Sequence, residues 1–167
     1  MRIALRASAL ILVASVAGGA PALADCTDAA APNVDWRRCY QDGQDLHGVD
    51  LTGAVLRDSS FANADLSESV LVGVNAYRAK FLSAKLPKVR LDDARLEDAD
   101  FTKADLTGAS LKNANLRRAR FFGASLRGAD LTGAHLAATD LLKADLSGAR
   151  WTDGEKICAE GSIGKCN

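Results

Sequence analysis

Aromatic residues make up only 5% of this 167-residue chain and methionine occurs once, so the interior cannot be built from rings or flexible thioethers. It must come from aliphatic side chains, mainly Leu and Ala. Charge of one sign is also lacking, because Lys plus Arg and Asp plus Glu each number 21. That balance argues against a strongly basic nucleic-acid binder and a strongly acidic mimic of nucleic acid, and no nucleic-acid partner is expected. With 48% apolar and 25% charged residues, the composition is that of a soluble globular protein of one domain, or at most two.

A long hydrophobic run is missing too. The apolar stretch from Ala7 to Ala17 is short and is followed by Gly18, Gly19 and Pro21, whereas a membrane span needs about 20 strongly apolar residues. Arg2 and Arg6 precede it and Ala22, Leu23 and Ala24 follow it, which is the pattern of a secretory signal peptide over residues 1–24, cleaved after Ala24. Asp25 before Cys26 does not fit a lipidation signal, which wants a small residue there. Removing two arginines and no acid takes the balance to 19 − 21 = −2. The expected location is periplasmic or secreted, with no membrane span after cleavage.

Cysteine is absent from the whole middle of the chain: Cys26 and Cys39 lie near one end, Cys158 and Cys166 near the other. Four cysteines allow three pairings, and an oxidising compartment favours disulfides over zinc. The spacings also lack the short paired knuckles of zinc motifs.

What is present is a five-residue period. From Leu46 to Trp151 there are 22 positions spaced by five, and all but Ala76 and Trp151 are Leu or Phe. Two residues before most of them sits Ala, as in Ala54, Ala64, Ala104 and Ala144, so the unit is Ala-x-Leu-x-x. A helix advances about 100° per residue and would scatter such leucines over every face. A straight strand would flip them from face to face at each odd step. A chain that turns a corner every five residues buries both Ala and Leu. The last position makes the corner, and there Gly53, Gly73, Gly108 and Gly148 recur with Asp and Asn at others.

Phe61, Phe81, Phe101 and Phe121 are spaced by 20, which implies four sides per coil and rings stacked about 4.8 Å apart. Asp58, Arg78, Asp98 and Arg118 alternate in sign at the same spacing, as do Lys80, Asp100, Arg120 and Asp140. These ladders read as register and solubility devices. A rod of this kind holds its ends apart, favouring Cys26 with Cys39 and Cys158 with Cys166. Trp36 and Trp151 are expected to cover the two ends. A local irregularity is expected near Ala76 to Arg78, where Ala76 takes a Leu place and Val74 an Ala place.

Units such as Ala64-Asp65-Leu66-Ser67-Glu68 and Ala104-Asp105-Leu106-Thr107-Gly108 resemble those of the pentapeptide-repeat proteins. The resemblance implies an all-β fold, a right-handed quadrilateral parallel β-helix of about five coils over residues 46–151. Residues 25–45 and 152–167 become disulfide-held caps, because solenoid ends need covering. Some members of that family mimic duplex DNA and protect or inhibit type II topoisomerases. That alternative needs an acidic surface and a cytoplasmic address, and neither is read here.

No catalytic, cofactor-binding or metal site is expected. His47 and His135 fall more than four coils apart, about 20 Å, and cannot share a site. The Asp residues beside Leu follow the fold's own period, and the glycines fall singly rather than as a phosphate-binding nest. Arg117, Arg118 and Arg120 form the densest basic cluster and are assigned to a solvated face. One outward column stands apart: Ala62, Leu82, Thr102, Phe122 and Leu142. Leu82, Phe122 and Leu142 form its apolar stripe, a candidate surface for an unknown protein partner or for self-association. The functional expectation is a non-catalytic, exported structural or protein-interaction module.

Overall fold

The structure, a computed structural model, describes residues 26–167; the expected leader over residues 1–24 lies outside the described residues. From residue 31 to residue 150 the chain repeats one motif, a paired residue followed by a two-residue turn, every five positions. Each paired residue bridges in parallel to the residue 20 positions on, in an unbroken series from Asp35 with Val55 to Asp130 with Arg150. The 120 residues of this stretch therefore make six coils of four sides.

The unit Ala64 to Glu68 shows why the sequence takes this path. Ala64 and Leu66 are both fully buried, while Asp65 between them faces outward. The amide of Asp65 donates to the Gln44 carbonyl of the coil before, at 2.9 Å, and that of Leu66 to the Lys85 carbonyl of the coil after, at 2.7 Å. Glu68 donates forward to Pro87, and Ala64 closes the turn onto Phe61. One amide is left, on Ser67, and the Asp65 carboxylate takes it at 3.0 Å. All five amides are thereby satisfied, which burial of the side requires.

The same aspartate device recurs at Asp50 to Thr52, Asp105 to Thr107, Asp130 to Thr132 and Asp145 to Ser147. In each of these the Thr or Ser hydroxyl also donates to the carboxylate. The recurrent carboxylates are local backbone caps of the Asx-turn kind.

Corners fall where the sequence put them, at the residue two after each Leu, and every one has positive φ. Glycine fills several, but Asp58, Asn63, Arg78, Lys103 and Ala138 adopt the same left-handed conformation with φ between 56° and 59°. A coil-to-coil hydrogen bond from the corner amide, such as Asp58 to the Tyr77 carbonyl at 2.9 Å, holds Asp58, Asn63, Arg78 and Lys103 there.

Inside, the phenylalanines stack as their spacing predicts. Ring centroids of Phe61, Phe81, Phe101 and Phe121 follow one another at 5.2, 4.8 and 4.9 Å, with interplanar angles of 7° or less. The irregularity expected at Ala76 to Arg78 does not occur. Asn75 bridges both Val55 and Arg95, and Ala76 and Val74 are fully buried. The larger Val74 occupies the volume that Ala76 gives up, so the backbone has no reason to shift.

The coils also begin before the expected boundary at Leu46. Trp36 and Gln41 occupy inward places of the five-residue register, and both are buried, so residues 31–45 form much of a first coil and the total is six coils.

Candidate functional site

Both disulfides join the expected partners, Cys26 with Cys39 and Cys158 with Cys166, and no free cysteine remains among the described residues. At the first end Trp36 is buried and its indole N–H donates to the Asp28 carbonyl at 3.2 Å. Gln41 donates to the Cys26 carbonyl, also at 3.2 Å. Side chains therefore close this end.

At the other end the backbone does. Ile157 pairs antiparallel with Arg150 and Ile163 with Asp145, which places the terminal segment across two sides of the last coil. Trp151 is only half-buried there. The other two sides, at Leu136 and Leu141, have amides that donate to no backbone carbonyl among the described residues, and both leucines are half-buried rather than sealed.

The outward column forms where it was expected. Lys103 and Gly123 donate to the carbonyls of Phe122 and Leu142, stacking these residues on successive coils. Leu82 and Phe122 are half-buried, and Lys143 sets its ammonium 5.3 Å from the centre of the Phe122 ring. Leu142, at the open edge, is 60% exposed.

The charge ladders close as pairs. Arg78 meets Asp58 at 3.5 Å, Arg118 meets Asp98 at 2.8 Å and Arg120 meets Asp100 at 3.3 Å. The Arg118 guanidinium, through hydrogen bonding and charge, holds the Asp98 carboxyl below its ordinary value. These pairs are exposed and screened by water, so they contribute little to stability. The basic cluster read from sequence thus divides: Arg118 and Arg120 are paired, while Arg117 has no carboxylate partner among the described residues.

Arg117 instead lines a groove of about 430 Å³ on the neighbouring corner of the rod, with Arg57, Tyr77, Arg95, Glu97 and Arg118. Arg57 lies over the Tyr77 ring at 5.2 Å, a cation–π contact. The Glu97 carboxylate accepts one hydrogen bond from Asn115 at 2.8 Å, and its second oxygen is buried without a partner. The sequence analysis did not single out Arg57, Tyr77, Arg95 or Glu97. Their signal is a 20-residue column of unlike residues, Arg57, Tyr77, Glu97 and Arg117, which shows no periodic type.

His47 and His135 are both exposed and stand on different coils. Among the described residues no group of three or more His, Cys, Asp or Glu is placed to hold a metal, and no helix is long and apolar enough to cross a membrane.

Two family models match the coils, one described as a pentapeptide repeat region over residues 44–113 and one as pentapeptide repeats over residues 114–150. Comparison with curated proteins found no match. Among solved structures, HetL of the cyanobacterium Nostoc sp. strain PCC 7120, a pentapeptide repeat protein involved in heterocyst differentiation regulation, is 29% identical with a TM-score of 0.53. The match covers 75% of this chain and 64% of HetL, so the chain spans under two thirds of that relative. A pentapeptide repeat protein of the Arabidopsis thaliana thylakoid lumen is 28% identical over 74% of this chain and 84% of its own, with a TM-score of 0.42. Full-length QnrB1, a plasmid-mediated fluoroquinolone resistance protein, is 17% identical over 70% of this chain and 76% of its own, with a TM-score of 0.44. The five-residue register, the four-sided coils and the two family models agree: this chain belongs to the pentapeptide repeat family and folds as a right-handed quadrilateral β-helix.

Proposed function

We propose that this protein is an exported, non-catalytic interaction module, active in the periplasm or outside the cell, that presents side-chain columns on a rigid rod to a protein partner or to a second copy of itself. The observation that carries this reading is the stripe of Leu82, Phe122 and Leu142, which ends at the 60% exposed Leu142 beside the two sides whose edge is unpaired. Apolar side chains next to free backbone amides favour association, because both gain by leaving water. The carboxylates that could suggest acid–base chemistry are engaged in capping their own turns. Two disulfides at the ends suit an oxidising compartment. HetL, involved in heterocyst differentiation regulation, offers a family precedent for a regulatory role.

The test is crosslinking in intact cells that produce the tagged chain, beside a Phe122→Ser, Leu142→Ser variant exported to the same level. The expected result is a specific envelope protein, or a dimer, captured by the original and lost in the variant. Unchanged capture in the variant removes the stripe from the function, and N-terminal sequencing that does not begin at Asp25 removes the proposed export step.

A further inference from the structure

The arginines of this protein are unevenly satisfied. Of the eleven in the described residues, Arg37, Arg78, Arg90, Arg118, Arg120, Arg127 and Arg150 each meet a carboxylate. Arg38, Arg57, Arg95 and Arg117 do not, and three of these four converge on the groove beside Tyr77. Scattered unpaired arginines need no account, since a solvated guanidinium is stable in water; their collection in one groove does.

The same face also holds two orphaned acceptors. Asn75 Oδ1 and Glu97 Oε2 are buried and lack a hydrogen-bond partner. Asn75 bridges Arg95, and Glu97 lines the groove itself. A buried acceptor without a donor is costly, and of the two residues only Glu97 lines the groove, so a ligand donor that draws its carboxylate toward the groove relieves that cost. The adjoining groove across Tyr77 makes the contrast. It is lined by Asp58, Arg78, Lys80, Asp98 and Asp100, whose charges compensate one another, and it calls for no outside ion.

The required ligand thus carries oxyanions for the arginines and hydroxyl or amine hydrogens for Glu97. An extended peptide is disfavoured, because strand addition needs a free sheet edge and the backbone amides on this face already bond from coil to coil. Arg57 and Arg117 stand three coils apart in one column, about 14 Å at the usual strand spacing, with Tyr77 and Glu97 between them. That suits a chain of rings rather than a single small ion.

We propose that this corner of the rod binds an acidic saccharide, with Arg57, Arg95 and Arg117 taking its carboxylate, sulfate or phosphate groups and Glu97 accepting from its hydroxyls. The site stands apart from the Leu82, Phe122 and Leu142 stripe and does not depend on it.

The experiment is isothermal titration of the full exported chain, both disulfides intact, with tri-galacturonate as the probe; glucose 6-phosphate, inorganic phosphate and neutral maltotriose are titrated in parallel. Saturable binding of tri-galacturonate or glucose 6-phosphate is expected, at least about tenfold tighter than inorganic phosphate and absent for maltotriose. Which of the two titrates separates a carboxylate sugar from a phosphorylated one. Arg95→Gln with Arg117→Gln weakens binding about tenfold or more, while Arg120→Gln, whose guanidinium is already paired with Asp100, leaves it unchanged. The exposed positions of these arginines leave the melting temperature unaltered. Failure of both acidic sugars to bind, phosphate binding as tightly as they do, or equal loss in Arg120→Gln overturns the assignment.

Discussion

The two ends of the rod solve one problem in different ways. At the first end Trp36 and Gln41 occupy inward places of the repeat register, and residues 26–28 are tied over them through the Cys26–Cys39 bridge and two side-chain hydrogen bonds. Among the described residues the lower backbone edge is unpaired, and three of its four bridging places carry Asp35, Asp45 and Asp50, charges that discourage another strand from joining it, the fourth being the exposed Tyr40. At the last end the segment 156–164 pairs with two sides of the final coil and leaves the other two sides open at Leu136 and Leu141. Charge guards one edge of the rod, and chain covers half of the other. The difference places the association-prone surface at the C-terminal edge, next to Leu142.

The strongest way to break this comparison is to remove the buried indole. Trp36→Ala leaves a cavity against Phe61, whose ring lies 6.4 Å away, and costs about 3–5 kcal/mol in thermal or urea unfolding. Trp151→Ala costs less, because Trp151 is already half in water. Equal losses at the two tryptophans would erase the distinction between an end closed by side chains and one closed by backbone.

Next come the disulfides. Replacing Cys26 and Cys39 by Ser, or Cys158 and Cys166, costs about 2–4 kcal/mol in each case. The first pair spans 13 residues and the second 8, so loop entropy makes the first loss larger by about half a kcal/mol. Hydrogen exchange reports the location: the first pair's loss frays residues 26–41, the second's releases 156–164.

The smallest effect sharpens the comparison through pH. Hydrogen bonds from the Ser147 hydroxyl and amide, with help from Arg127, hold the Asp145 carboxyl below its ordinary value of 3.8. Its folded value lies below its unfolded one, so its contribution is complete above about pH 4 and is lost as pH falls through that value toward the folded one. Asp145 reaches the terminal segment through Ser147, which accepts from the Gly161 amide, and through Arg127, which also grips Glu160. Asp35 is likewise held low, by its hydrogen bond with Arg37, but that pair lies within one side and ties down no cap. Acid below pH 4 therefore speeds amide exchange in residues 156–164 more than in residues 26–41, and equal acceleration at both ends contradicts the assignment.

The fold was legible because its two periods are carried by residues with one task each. Leucine at every fifth place fixed the corner spacing, and phenylalanine at every twentieth fixed the number of sides. The first coil was less legible because Trp36 and Gln41 stand where Leu normally does, although both fall on the same five-residue count back from Leu46. The role of the aspartates was partly visible in the pairs Asp50 with Thr52 and Asp130 with Thr132, a spacing that suits a turn capped by its own side chain. The groove at Tyr77 was not legible. Its meaning lies in which arginines lack partners, a property of the folded surface that no spacing in the sequence reports.

The coil-to-coil hydrogen bonds all run along the axis of the rod, and this has a mechanical consequence. A pull between the two ends loads the rungs in series, so the molecule yields one coil at a time, each release adding twenty residues of slack. The disulfides set where yielding begins, because the segments they close, 26–39 and 158–166, cannot pay out under tension. Under tension such a rod is a spring with a graded stop rather than a link that snaps.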